Sequence, residues 1–420
     1  MLHRFGRSGA LSPLASPNYR RFFIGQLISV AGTWLQIVAE GWLVYQLTHS
    51  PAWLGIVAGA GALPGLLLTL WGGQIADRYP RRRILMVTQS GFMTLAFLLA
   101  LLASGWWAPV RPWHVVALAA IGSAVAAFSG PAFQSFIPEL VPREALTSAI
   151  ALNSMLWNGA RVLGPLVAAA VIARSGMAIC FFLNGLSFIA VLIALAGIRV
   201  APRAFDPAAR PSPLEGLRYL RQNLDALRVL TLFAVTACFG WAYQTLLPAI
   251  AHERFGRGAD GVGVLMAAAG VGSFLAGLLT ASFSGEQHRR PLVYGGAFAY
   301  AAALAAFAAV RSFSAVLPIV AVVGFGLNVH GINVNAQLQE AVPDELRGRV
   351  MAVYTLLFQS LFPLGGLLAG FIAQQMGTLS AVRLAAAICL AVTTGLFLWS
   401  QEERHAATRQ AELEPALEAA

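Results

Sequence analysis

A single glutamate inside an apolar stretch is the first residue of this sequence that could do chemistry. Glu40 is the only acid in its apolar run, and Gln36 precedes it by four residues, so the two side chains share one face of a helix. A carboxylate in apolar surroundings can gain and lose a proton during a reaction cycle, which makes Glu40 a candidate for proton coupling. The structural alternative is a glutamate that reaches an interface or is hydrogen-bonded between helices.

A lone arginine is the second residue of this kind. Arg161 lies in the middle of an apolar run, three residues before Gly164 and four before Pro165. A guanidinium at the centre of a membrane helix costs roughly 3 kcal/mol unless it is paired or hydrated. Arg161 is therefore predicted to face a cavity or another helix, as an anion contact or as the partner of a carboxylate. Gly164 would allow a neighbouring helix to approach closely, and Pro165 would allow a kink. The alternative is that both residues serve only ordinary packing between helices.

The amino-acid composition indicates the class of protein in which these two side chains lie. Of 420 residues, 58% are hydrophobic and 11% are charged, whereas a soluble domain has about 25% charged residues. The chain is therefore predicted to be an integral membrane protein. The three cysteines lie in apolar runs, and neither a metal-ligand spacing nor a nucleotide-binding loop is found. We accordingly expect no metal, no cofactor, no nucleotide-driven step and no enzymatic active site.

Twelve apolar segments have the length of a membrane-spanning helix. Their approximate limits are 22–47, 52–71, 84–104, 113–136, 147–172, 177–198, 229–251, 260–284, 291–310, 314–337, 348–373 and 379–400. All 28 basic residues are arginines, and most of them fall in the segments that share a side with the N-terminus. The positive-inside rule then predicts that both termini are cytoplasmic.

The order of these segments predicts two halves. We expect a cytoplasmic tail at 1–21, a six-helix bundle at 22–198, a cytoplasmic linker at 199–228, a second six-helix bundle at 229–400 and a polar, mobile tail at 401–420. Within the linker, leucines at helical spacing predict an amphipathic surface helix over 212–227.

The two halves also repeat. Residues 139–176 align with residues 340–377 without a gap. Identical pairs in this alignment are Glu139/Glu340, Pro142/Pro343, Glu144/Glu345, Gly164/Gly365 and Gly176/Gly377. A polar turn and two glycines at fixed distances are unusual matches for two apolar helices, so the sequence favours two parallel six-helix repeats.

A short charged turn separates the second and third apolar segments. It contains Gly73, Asp77, Arg78, Arg81 and Arg82 at the spacing Gly-x-x-x-Asp-Arg-x-x-Arg-Arg. This turn resembles motif A of the major facilitator superfamily. The resemblance implies an all-α membrane fold of twelve helices in two bundles, and a cytoplasmic latch of Asp77, Arg78 and Arg81 that stabilises an outward-open state. The alternative, which needs no family resemblance, is that arginines at a membrane edge only fix the orientation of the helices in the membrane.

The same resemblance points to further site residues. Arg161, Gly164 and Pro165 are similar to part of motif C, which is typical of exporters. Helices 1, 4, 7 and 10 line the substrate cavity in this superfamily. The candidate cavity residues are Gln36, Asn158, Gln134, Trp241, Tyr243, Gln244, Asn328, His330, Asn333 and Gln337. Amides and aromatic rings on apolar walls suit a bulky, partly polar organic molecule, and His330 is a second possible proton carrier. Structural hydrogen bonding is the alternative for each of them.

Two further stretches narrow the resemblance. The segments 32–51 and 138–154 look like those of the bacterial branch that contains enterobactin exporters and macrolide efflux pumps. The resemblance implies a secondary transporter of the bacterial inner membrane that exports a drug- or siderophore-like molecule by alternating access in exchange for protons. Its expected partners are a small-molecule substrate, protons and the lipid bilayer, without nucleic acid, and one chain is expected to function as a monomer. Uptake, lipid flipping and a non-transporting membrane sensor remain alternatives.

Overall fold

Long helices account for nearly all of the described chain in a computed structural model, which describes residues 11–199, 213–283 and 285–418. The helices are α1 (Pro17–Thr48), α2 (Pro51–Ala60), α3 (Leu63–Arg78), α4 (Arg81–Ala103), α5 (Pro112–Leu140), α6 (Leu146–Ser175), α7 (Met177–Gly197), α8 (Pro213–Gln222), α9 (Leu224–Val235), α10 (Ala242–Phe255), α11 (Ala259–Ser282), α12 (Glu286–Ala309), α13 (Phe313–Ala341), α14 (Asp344–Met376) and α15 (Thr378–Glu418).

Twelve helical segments of the described residues are long and apolar enough to cross a membrane, which confirms the predicted number. Two of these segments are interrupted: α2 and α3 join at residues 61–62, and α9 and α10 join through a π-helical turn, Thr236–Gly240. Helix α8 lies outside the twelve. Proline at the first helical position and a side-chain cap explain several starts, as where the Ser16 hydroxyl accepts the backbone N–H of Tyr19 before α1.

The helices form an N-terminal bundle, α1–α7, and a C-terminal bundle, α9–α15. The two bundles meet mainly where α2 contacts α14 and where α6 contacts α11. We call the end of the molecule at which α1 begins the terminal end, and the opposite end the distal end. Each bundle has an apolar interior, and one continuous cluster of buried side chains crosses from α1 to α10 near the distal end.

The predicted repeat is visible in the backbone. Gly176 and Gly377 end α6 and α14 with φ values of 80° and 87°, a conformation that favours glycine. Gly164 in α6 lies against the side chain of Trp34 in α1. Its aligned partner Gly365 in α14 lies against the backbone of Cys238 in the π-helical turn between α9 and α10. In both bundles one aligned glycine ends the helix and the other lies at a close contact with a neighbouring helix. The repeat is therefore present in the structure as well as in the sequence.

Three sequence predictions about the segments outside the bundles need correction. The predicted helix 212–227 is broken at Asn223, whose side chain caps the start of α9, so α8 is separate from the helix that follows. Helix α1 begins at Pro17, inside the predicted tail 1–21. The predicted tail 401–420 continues α15 as a helix to Glu418, since it is rich in alanine, glutamate and other helix formers, while its mobility stays a prediction. Residues 1–10 and 200–212 of the predicted tail and linker lie outside the described residues.

Candidate transport site

A cavity of about 970 Å³ lies beside α1, and its wall belongs almost wholly to the N-terminal bundle. The polar and charged lining residues are Gln26, Ser29, Thr33, Gln36, Glu40, Gln89, Ser123, Ser129, Gln134, Asn153, Trp157 and Asn184. Aromatic rings of Phe92, Phe133 and Phe188 supply much of the remaining wall, and the C-terminal bundle contributes Phe362 and Pro363 of α14. A cavity with apolar walls and a few polar groups is the usual form of a site for an organic molecule.

Glu40 is the only one of the described residues around this cavity that carries a formal charge. The Gln36 side chain donates from Nε2 to Glu40 Oε2 at 3.3 Å, as their spacing predicted. The Asn184 side chain of α7 donates in turn from Nδ2 to Gln36 Oε1 at 2.6 Å, and the Ser187 hydroxyl lies 3.2 Å from Asn184 Oδ1. A chain of hydrogen bonds therefore leads from the core of the N-terminal bundle to the carboxylate.

Sequence reasoning missed Asn184 and Gln89. Asn184 is 3% exposed and is the one amide side chain in α7. Gln89 of α4 is also buried, and its Oε1 atom has no hydrogen-bond partner in the described structure. Both residues are isolated amides in otherwise apolar helices. That signal could have singled them out, but the prediction drew its cavity residues, apart from Asn158, from helices 1, 4, 7 and 10.

Arg161 lies at the boundary between the bundles rather than on the cavity wall. Its guanidinium carbon is 5.0 Å from the centre of the Trp241 ring, which is a cation–π contact across the bundles. Trp241 packs edge-on against Phe362, 5.2 Å between ring centres, and Phe362 lines the cavity. Within the described chain no carboxylate pairs with Arg161, and an aromatic ring is its partner, so of the two predicted roles the contact with an anion stays a prediction.

Gln36 and Gln134 are the two predicted cavity residues that line the cavity. The other eight, which lie elsewhere, are Asn158, Trp241, Tyr243, Gln244, Asn328, His330, Asn333 and Gln337. His330 is 1% exposed and lies between the Thr236 hydroxyl, at 3.1 Å, and the Val293 carbonyl oxygen, at 3.0 Å. These contacts fit the structural alternative, because the C-terminal bundle fills its own interior with large side chains such as Tyr300 and Phe307.

The motif A turn divides its charged residues between different neighbours. Asp77 and Arg78 are exposed, and neither forms an ion pair in the described part of the chain. Arg81 forms a salt bridge with Glu139 at the end of α5. Arg82 donates to the carbonyl oxygens of Leu195 and Ala196 at the C-terminal end of α7. A cation there stabilises the negative end of the helix dipole. The predicted latch of Asp77, Arg78 and Arg81 therefore stays a prediction.

The counterpart of this salt bridge in the second half joins Arg289 to Glu340, at 2.9 Å between Nη2 and Oε1. Glu139 and Glu340 are aligned in the sequence repeat, so both bundles use the same acid to hold the start of a neighbouring helix. The Arg81–Glu139 pair is the less exposed of the two, with 17% and 15% of the side chains exposed.

We expect Arg81→Gln to lower the free energy of unfolding by about 1–3 kcal/mol, since it leaves a half-buried carboxylate unpaired. Thermal unfolding in detergent measures this loss. The exchanged pair Arg81→Glu with Glu139→Arg should recover part of it, and Arg289→Gln should cost less because Glu340 is 43% exposed. If the exchanged pair lost as much free energy of unfolding as its two single substitutions added together, the salt bridge would not contribute to stability.

At the distal end, hydrogen bonds join the two bundles. The Tyr45 hydroxyl of α1 donates across the bundles to Glu253 Oε1 at 3.1 Å. Within the C-terminal bundle, the Thr378 hydroxyl holds the same carboxylate by donating to Glu253 Oε2 at 2.6 Å. The Ser50 hydroxyl donates to Gln374 Oε1 of α14 at 2.7 Å. Below them, α2 and α14 approach so closely that a Cβ atom on Gly55 would lie 2.9 Å from the backbone of α14. The bundles are thus fastened together at this end.

A family model described as "Transmembrane secretion effector", of the major facilitator superfamily, matches residues 8–418. The chain belongs to this family. Its members are transporters and not enzymes, so the predicted family and the absence of enzymatic activity are confirmed.

Several curated proteins are similar over most of the chain. The Multidrug efflux pump Tap of Mycobacterium tuberculosis is 30% identical over 385 residues, which is 88% of this chain and 90% of that protein. The Staphyloferrin A transporter of Staphylococcus aureus is 24% identical over 85% of this chain and 89% of that protein. The Macrolide efflux protein A of Streptococcus pyogenes is 23% identical, with 84% and 88% covered.

Solved structures of similar fold agree with the predicted architecture. A bacterial homologue of the human lysosomal transporter Spinster, in an inward-facing and occupied conformation, matches with a TM-score of 0.70 at 15% identity, over 93% of this chain and 97% of that one. A D-xylose–proton symporter matches with a TM-score of 0.66 at 15% identity, over 89% and 97%. The predicted fold of this transporter is therefore confirmed.

Proposed function

We propose that this transporter exports a small organic molecule across the bacterial inner membrane by alternating access, in exchange for protons. The observation that carries the proposal is the cavity with one carboxylate, Glu40, in a molecule whose bundles are fastened together at the distal end. The Tap pump and the macrolide protein, which are efflux proteins by name, support export as the direction.

The arginine distribution supports the orientation. Most arginines lie toward the terminal end, so the positive-inside rule assigns that end to the cytoplasm. The fastened distal end then faces outward, and a substrate would enter from the inside or from the inner leaflet. Rocking of one bundle against the other would break the contacts of Glu253 and Gln374 and open the outer side. One chain contains both bundles, which supports a functional monomer.

Glu40 is assigned the proton. In the proposed cycle the Glu40 carboxylate accepts a proton from the outside, and the resulting carboxylic acid releases that proton toward the cytoplasm before the next substrate is exported. Gln36 and Asn184 orient the carboxylate through their hydrogen bonds. The exchange is driven by the proton gradient, because proton release on the inside makes the return step favourable.

The lining also supports a substrate class. Among the described residues that line the cavity, the one charged side chain is the acid Glu40, and the aromatic walls are apolar, so an uncharged or amine-bearing amphiphile fits better than a polycarboxylate. The Arg161 guanidinium lies over the Trp241 ring and is not part of the cavity lining. The drug-like alternative is thereby favoured over the siderophore-like one that the Staphyloferrin A transporter suggests.

The test uses purified full-length protein in proteoliposomes with an imposed pH gradient. The panel contains a lipophilic amine, its uncharged analogue and citrate, with protein-free liposomes as the control. We expect movement of the amine or the analogue against the direction of proton flow, and no movement of citrate. Movement in the same direction as protons would favour uptake. Movement of a labelled phospholipid alone would favour lipid flipping, and ligand binding without any flux would favour a sensor.

A further inference from the structure

A second concave site lies on the outside of the N-terminal bundle, away from the transport cavity. It is a groove of about 530 Å³ between α3, α4 and α5. The apolar part of its wall includes Ile84, Val87 and Gly91 of α4 and Ile121 and Val125 of α5. Its polar side chains are Tyr79 and Arg83 at the terminal end and Thr88, whose hydroxyl is bonded to the Leu85 carbonyl oxygen at 3.2 Å. The rest of the wall is apolar.

The groove opens to the surroundings of the bundle. Val87 is 72% exposed and Ile121 is 51% exposed, although both belong to helices that cross the membrane. Large apolar side chains exposed at this depth contact lipid chains. The mouth with Arg83 lies where α4 begins, which is the level of the headgroups on the side of the termini.

Arg83 differs from the two arginines before it. Arg81 is paired with Glu139, and Arg82 is bonded to the end of α7. Consecutive helical positions point about 100° apart, so Arg83 faces the groove instead. It is exposed, and no acid or carbonyl oxygen of the described chain is bonded to it. The first turn of α4 also has no side-chain cap, so the positive end of the helix dipole lies at the same place, although the Arg83 N–H itself donates to the Pro80 carbonyl oxygen at 2.8 Å.

We propose that this groove binds an anionic phospholipid of the inner leaflet. The phosphate lies between the Arg83 guanidinium and the first turn of α4, and an acyl chain lies along Ile84, Val87 and Gly91. From Arg83 to Gly91 the groove is about 12 Å long at the rise of an α-helix, so it holds the upper part of the chain. The proposal follows from charge complementarity: Arg83 is the one charged side chain among the described lining residues, and anionic lipids are enriched on the cytoplasmic side.

The experiment measures how much lipid stays bound to the purified full-length protein. Protein is equilibrated with mixed micelles of phosphatidylglycerol and phosphatidylcholine and analysed by native mass spectrometry. The wild type should retain phosphatidylglycerol in preference to phosphatidylcholine. Arg83→Gln should lower that preference about fivefold, the typical contribution of one basic residue at a membrane surface. The matched control is Arg143→Gln, an exposed arginine at the same end and outside the groove.

A second variant tests the apolar part of the groove. A Cβ atom at Gly91 would lie 3.5 Å from the Val125 side chain, an ordinary contact, so Gly91→Leu can fill the groove without displacing the backbone. It should lower retention of both phospholipids, while Arg83→Gln lowers mainly the anionic one. Equal retention of the two phospholipids by the wild type would overturn the proposal. So would Arg83→Gln and Arg143→Gln variants that retain the same amount of phosphatidylglycerol.

Discussion

Glu40→Gln is expected to abolish proton-driven export while uncharged substrate still binds. Glutamine keeps the shape of the side chain and its contact with Gln36, but it cannot exchange a proton. Flux in proteoliposomes under a pH gradient should fall to that of protein-free liposomes. Binding of the uncharged compound of the panel, measured by titration in detergent, should stay measurable because the apolar walls are unchanged.

Controls separate this role from a structural one. Glu144→Gln removes an exposed carboxylate at the terminal end and should leave coupled flux intact. Glu40→Asp keeps the acid on a shorter side chain and should retain part of the coupled flux. If Glu40→Gln exported substrate under the gradient as fast as the wild type, Glu40 would have no part in coupling. Equal losses of flux and thermal stability in Glu40→Gln and Glu40→Asp would instead indicate a structural residue.

Covalent joining of the bundles at the distal end is expected to stop transport reversibly. Ser50 and Gln374 are bonded at 2.7 Å across the two bundles. The double variant Ser50→Cys with Gln374→Cys can be bridged by a short, cleavable bifunctional thiol reagent. The bridge would prevent the distal end from opening, so flux should fall to background and return when the reagent is cleaved by reduction.

The matched control joins two positions of one bundle. The Asn18 side chain, at the start of α1, donates at 3.1 Å to the carbonyl oxygen of Arg199, two residues after the end of α7, so the bond holds the chain to the N-terminal bundle. Bridging Asn18→Cys with Arg199→Cys should leave flux unchanged, since these positions move together. The native cysteines are buried, so the reagent should not affect the wild type. Undiminished flux through a fully bridged Ser50–Gln374 pair would contradict alternating access at this end.

The fold could be predicted well because the bilayer imposes its requirements locally. A helix that crosses hydrocarbon must satisfy its own backbone and present an apolar run of fixed length, so twelve runs predict twelve helices. The repeat could also be predicted from the sequence, because Gly176 and Gly377 have the same backbone conformation in the two halves, and that conformation favours glycine. The break at Asn223 was missed because the helical spacing of the leucines continues from α8 into α9. The capping hydrogen bond, from the Ala226 N–H to Asn223 Oδ1, spans only three residues and does not disturb that spacing.

The candidate site was only partly predictable. The pairing of Gln36 with Glu40 depends on helical spacing within one helix, so the sequence alone was sufficient. Asn184 of α7 belongs to the same chain of hydrogen bonds but lies 148 residues from Gln36 in the sequence, so no local sequence pattern predicts that contact. His330 and Asn333 looked like cavity residues because their helix lines cavities in the superfamily. They are buried within the C-terminal bundle, where large side chains occupy the space.

By itself the sequence determined the membrane class, the twelve helices, the two repeats and the isolated acid, since each follows from composition or from spacing within one helix. Only the tertiary structure decided which neighbour each polar side chain meets. Arg81, Arg82 and Arg83 are identical and consecutive, yet they reach an acid, a helix end and a groove. The reason is geometric: adjacent helical positions point about 100° apart, and what lies in each direction depends on how the helices pack.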